Sequence, residues 1–90
     1  MAEKWRVLVT VGNPHNPVAH AITQRLPPDT SPVYMDFSGD PVLSVVRVTV
    51  EADSPEDAHT LAETLVKQAC LASEWNWTPV ATGAERAPQA

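Results

Sequence analysis

Two stretches of this chain repeat one pattern: VTVGNPHNPVAHAI, starting at Val9, and VTVEADSPEDAHTLA, starting at Val48. Each has a Val-Thr-Val strand end, a short loop, a capping residue followed by proline, and an Ala-His pair about one turn into a helix. A strand-to-helix unit used twice constrains the fold more than any other feature here. It predicts two right-handed βαβ halves related by pseudo-symmetry.

The strands follow from alternation. In WRVLVTV, Trp5, Val7, Val9 and Val11 fall on one face and Arg6, Leu8 and Thr10 on the other, as in a half-buried strand. In SPVYMDFS, Val33, Met35 and Phe37 oppose Tyr34 and Asp36, and Pro28 and Pro32 bound a short edge strand. The turn Ser38-Gly39-Asp40-Pro41 leads into VLSVVRVTVEA and so predicts a hairpin. There Val46, Val48, Val50 and Ala52 form the apolar side, and Arg47, Thr49 and Glu51 the other. A last strand is expected in EWNWTPV, with Trp75 and Trp77 buried on one face and Pro79 holding it to an edge.

Two helices separate these strands. The second opens with Ser54 as N-cap, Pro55 at the first helical position and Asp57 three residues after the cap. Its core stripe is Ala58, Leu61, Ala62, Leu65, Val66, Ala69 and Ala72, whose small members let a helix lie close to a sheet. The first helix is expected to use Asn16 as N-cap and Pro17 next, with His15 and His20 in the places where a staple packs two side chains together. Val18, Ile22 and Leu26 form its buried row.

Strand, helix, strand, strand, helix, strand is the split βαβ order of the ferredoxin-like superfold. The chain resembles it in topology over residues 5–80, which makes the fold class α+β: a ferredoxin-like βαββαβ sandwich, with a four-stranded antiparallel sheet and two helices on one face. Residues 1–4 are expected to be a flexible N-terminus. ATGAERAPQA, residues 81–90, has no periodic apolar set and is expected to be a disordered tail.

Ninety residues make a small domain with a thin core, which favours a partner surface and points to a homodimer or a complex with another protein chain. Six basic residues against eleven acidic ones leave a net charge of −5, which opposes nucleic acid and anionic lipid unless a local basic patch forms. Along the sequence Lys4, Arg6, Arg25, Arg47, Lys67 and Arg86 are scattered. The single cysteine, Cys70, fits a reducing compartment, and the apolar run near the N-terminus is too short for a signal segment or a membrane span. A cytoplasmic protein without a cofactor, nucleic acid or membrane partner is expected.

Candidate chemistry centres on Gly12, Asn13, His15 and His20. Gly12 and the first amides of the helix have the makings of an anion cradle, with imidazoles beside it. Capping explains the same residues, and we read the stretch first as a structural joint. A metal would need a third ligand, and none is nearby in sequence. Glu51, Asp53, Glu56 and Asp57 gather where a helix dipole favours carboxylates and lack the spacing of a calcium loop. Cys70 has no fixed base beside it and reads as a packing residue.

Three users of this architecture are instructive. RNA-recognition domains stack bases on aromatic residues of the central strands, where this chain offers Leu8, Thr10, Arg47 and Thr49. Heavy-metal carriers use a cysteine pair in the first loop, where this chain has NPHNP. Gly12 makes the chain resemble ACT-type regulatory domains, which bind small ligands such as amino acids at a dimer interface and use a glycine in that loop; their usual Pro-Gly before the helix is missing.

The expected function is a non-catalytic interaction or assembly module, dimeric through the open face of its sheet. Leu8, Leu43 and Val45 are its apolar interface residues, and Arg6, Arg47 and Glu51 its complementary charges. One alternative is an ACT-like sensor of a small ligand, an amino acid or another anion, bound at Gly12, Asn13 and His15. A second is an enzyme of the dimeric α+β barrel sort relying on His20 or His59, although no nucleophile or acid–base pair with a partner is evident.

Overall fold

Alternating valines on two strands give the fold its centre. In the computed structural model, which describes residues 3–37 and 39–87, β1 (Glu3–Thr10) lies antiparallel to β3 (Asp40–Ala52), so that Val7 faces Val48 and Val9 faces Val46. All four are fully buried. Around this pair stand α1 (Asn16–Gln24), β2 (Ser31–Phe37), α2 (Pro55–Ala72) and β4 (Ala81–Arg86). The four-stranded sheet has the order β2-β3-β1-β4, and every neighbouring pair is antiparallel. The protein is therefore of the α+β class. Both helices bury their stripes in one core: Ala19 and Ile22 from α1, and Ala58, Ala62, Val66, Ala69 and Cys70 from α2, join the strand valines. Trp5 closes one end of this core, its indole N–H donating to the Ala52 carbonyl at 3.1 Å.

The start of α2 is the predicted one. Ser54 is extended, and its hydroxyl accepts the Asp57 amide at 3.2 Å. The stripe is narrower than expected, because the helix lies close enough to the sheet for alanines to fill the gap. Leu61 is exposed and Ala72 lies outside, whereas Cys70 is buried. In α1 the cap is His15, one residue earlier than expected, and no side chain bonds the free amides. Asn16 is already helical and Pro17 occupies the first turn, where its missing N–H costs nothing.

Both ends of the chain differ from expectation. Glu3 and Lys4 belong to β1 and are paired with Ala52 and Glu51; residues 1–2 lie outside the described residues. The final strand is not EWNWTPV. It is ATGAER, assigned from sequence to a disordered tail whose residues 88–90 lie outside the described ones. This strand lacks an apolar rhythm because its inward residues, Ala81 and Ala84, need only be small under a close helix. Arg86 then lies over the Trp5 ring, 5.8 Å from its centroid, and bonds Glu3 at 3.1 Å, while the Ala87 amide donates to the Lys4 carbonyl.

Leu43 is the clearest correction. Strict alternation back from Val46 would put it on the open face, yet it is 1% exposed and in the core. Val33 faces Val45 and Tyr34 faces Leu43, so Ser44 is the extra residue of a β-bulge and reverses the sides of everything before it. The expected turn before β3 includes Ser38, outside the described residues, and Phe37 is described only by its backbone pairing with Asp40.

Candidate functional site

The loop between β1 and α1 gathers the residues singled out from sequence, and it is tied down on two sides. Gly12 and Asn13 both have positive φ, 71° and 54°. Asn13 is not left facing a ligand, because its Oδ1 accepts the Ser44 hydroxyl at 2.7 Å, and Val11 donates its amide to the Ser44 carbonyl at 3.0 Å. The loop thus holds the bulge that turns Leu43 inward.

On its other side lie the two tryptophans. Helix α2 ends in a Schellman arrangement, with Glu74 at φ 60°, its amide on the Leu71 carbonyl and the Trp75 amide on the Cys70 carbonyl at 2.8 Å. This turn carries Trp75 onto the loop, where its indole N–H donates to the Val11 carbonyl at 2.7 Å and its ring meets His15 edge-on, centroids 6.5 Å apart. Trp77 donates to the Thr10 carbonyl at 3.3 Å and covers Gly12. The indoles do not share one face of a strand; Trp75 is half-buried and Trp77 is 37% exposed. His15 thus meets Trp75, and His20 stands exposed on α1. Gly12, Asn13 and His15 come together at a joint on which the two indole rings rest, with Asn13 and His15 exposed beside them.

Grooves lined by described residues open on both sides of the sheet, and three bear on function. One, about 350 Å³, lies where β3 meets α2 and is lined by Glu51, Asp53, Asp57, Thr60 and Leu61. Its carboxylates suit the start of α2, and among the described residues no three histidine, cysteine or acidic side chains are placed to hold a metal ion. The other two lie on the open face, the side of the sheet away from the helices. One of about 380 Å³ is lined by Arg6, Leu8, Arg47, Gly83, Ala84 and Glu85; the other, about 290 Å³, by Lys4, Arg6, Asp29, Ser31, Arg47 and Thr49 among others.

Pairing of β1 with β3 therefore gathers what looked scattered. Lys4 faces Glu51, Arg6 faces Thr49 and Leu8 faces Arg47, so three of the six basic residues stand at one end of the open face. At the other end, Val33 pairs with Val45 and Met35 with Val42. The open face is thus divided along the strands into a charged end and an apolar end. This division is invisible along the sequence, because it arises from register.

Cys70 is fully buried, and its burial pushes the thiol pKa up, opposite to what a nucleophile requires. Among the described residues no helix is long and apolar enough to cross a membrane. Compared with protein-family models, curated proteins and solved structures, the chain has no significant match, so its function has to be read from its own geometry.

Proposed function

We propose that this chain is a non-catalytic association module of the ferredoxin-like kind and that it pairs with a second copy of itself through the open face of its sheet. The strand order supports the fold reading: taken from the other edge it runs β4-β1-β3-β2, with the helices after the first and third strands. One observation carries the function. Val33, Met35, Val42 and Val45 form an apolar band across neighbouring strands, with Leu8 at its border and Met35 52% exposed.

A patch that is apolar and contiguous is self-complementary under a two-fold axis. Laying band on band leaves Arg6, Arg47 and Glu51 at the rim, where they stay hydrated. A standard interface of about 800 Å² per partner is roughly a seventh of the 5663 Å² surface of this chain. Leu43 has no part in it, being in the core. The ACT-like alternative would bind at Gly12, Asn13 and His15, where Trp77 already covers Gly12 and the Asn13 Oδ1 is taken by Ser44, which favours the association module instead. In this reading Cys70, buried and with its thiol pKa raised, serves packing. The lone cysteine supports a cytoplasmic location.

The test is sedimentation and light scattering of the full chain from about 1 to 100 µM, the range in which such patches associate. A dimer that dissociates on Val45→Glu or Met35→Glu, with unchanged circular dichroism, is the expected outcome. A monomer throughout, or a dimer indifferent to both substitutions, would reject the reading.

A further inference from the structure

We infer that the charged end of the open face is a binding site for a small organic anion, with a carboxylate or phosphate head held between Arg6 and Arg47 and an apolar body resting on Leu8 and Gly83. The arginines that hold the head group stand outside the apolar band, and only Leu8 is shared with its border, so the site rests on observations separate from those for dimerisation.

Four observations carry it. Arg6 and Arg47 are diagonal neighbours on the two central strands, since Arg6 faces Thr49 and Leu8 faces Arg47. Such neighbours stand roughly 7–8 Å apart at the backbone, close enough for two guanidinium groups to reach one head group. Both are half-buried, and both line each of the two grooves on this face. Among the described residues neither closes an ion pair: Glu85 faces Arg6 in the register and lines one groove, Asp29 lines the other, and the pair found is Arg86 with Glu3. Two like charges set side by side on a chain of net charge −5 repel each other until an anion lies between them. Planar guanidinium forks suit a carboxylate or phosphate, which each can grip through two parallel bonds.

The floor of the groove adds selectivity. Beside the arginines it is made by Leu8 and Gly83, which face each other across β1 and β4. Gly83 is not in the left-handed region, and a Cβ placed on it would meet nothing within 4 Å, so its lack of a side chain is what leaves the floor open. On the other side stand Lys4, Ser31 and Thr49, whose donors suit further oxygens of the head group, with the Asp29 carboxylate beside them setting the limit on how far the anion extends that way. Among the described side chains no aromatic ring lines either groove, which favours a small anion over stacked bases of RNA.

The experiment is a nuclear magnetic resonance titration of the full chain with phenyl phosphate, benzoate and inorganic phosphate in parallel, the first two distinguishing a phosphate from a carboxylate head. Saturable shifts centred on the amides of Arg6, Arg47 and Gly83 are expected for at least one of the two aromatic anions. It should bind about tenfold more tightly than inorganic phosphate, from the burial of its ring. Arg6→Gln and Arg47→Gln should each weaken it about tenfold, as the loss of a charge-assisted bond does. Gly83→Val, which the backbone permits, should remove the advantage of the ring while leaving inorganic phosphate unchanged. Should a glutamine variant fail to fold, Arg6→Lys and Arg47→Lys keep stem and charge but lose the fork, and should still weaken binding. Shifts that do not saturate, or that spread equally to Arg25 and Lys67, would overturn the proposal. So would lysine and glutamine variants that bind as the parent does, or a single-stranded oligonucleotide that binds more tightly than every small anion and is indifferent to Gly83→Val.

Discussion

The ring of Trp77 stands where a side chain on Gly12 would begin: a Cβ built on Gly12 would lie 2.5 Å from Trp77 Cδ2 and 2.6 Å from its Cε3. Close approach and a φ of 71° thus demand glycine at the same position for two separate reasons.

Gly12→Ala should therefore destabilise the fold by about 2–4 kcal/mol, from backbone strain together with overpacking. Denaturant unfolding measures it. The steric part should vanish beside Trp77→Ala, so the double variant should lose less than the two single variants added together. Strict additivity would mean that the ring does not rest on this glycine.

The two ends of α2 should respond in opposite directions. Ser54→Ala removes the acceptor of the Asp57 amide and should cost about 1 kcal/mol. Glu74 holds the left-handed position of the helix end without being glycine, and Glu74→Gly should stabilise the fold by about 0.5–1 kcal/mol. Thermal unfolding midpoints should move down for the first and up for the second.

Leu43 and Val45 stand two residues apart on β3, on opposite sides of the sheet. Leu43→Ala should cost about 2–5 kcal/mol, because it empties a place in the core. Val45→Ala should change the stability of the monomer by about 0.5 kcal/mol or less, as surface changes do, while weakening association. Equal losses would mean that the bulge at Ser44 does not reverse the sides.

Cys70 sets a pH dependence. Burial raises its pKa above the ordinary 9.0, so the folded chain keeps this proton to higher pH than the unfolded chain does. The contribution is full below 9.0 and falls as pH rises through and beyond it. Unfolding measured at rising alkaline pH should show a steeper loss of stability in the parent than in Cys70→Ala. The thiol should resist iodoacetamide in buffer and react in urea; equal rates would show that it is not buried.

Legibility from sequence followed the range of the interactions. The valine alternation of β1 and β3 and the Ser54 cap depend on residues a few places apart, and they are plain in the text of the chain. Strand β4 is not legible in the sequence, because its inward residues are alanines, which carry no apolar rhythm and suit a helix that approaches closely. Alternation alone puts Leu43 on the wrong side, because the bulge is held by a hydroxyl reaching Asn13, 31 residues away in the chain. The basic cluster is hidden in the sequence for a related reason: Arg6 and Arg47 become neighbours only through pairing.

By itself, then, the sequence determined the element order and the α+β class, because periodicity, capping and proline act locally and tolerate many surroundings. Tertiary structure decided which sequence-distant groups meet: Trp77 on Gly12, Ser44 on Asn13, Arg6 beside Arg47. Those meetings depend on strand register and on how closely α2 lies on the sheet, and both are settled only when the whole core packs at once.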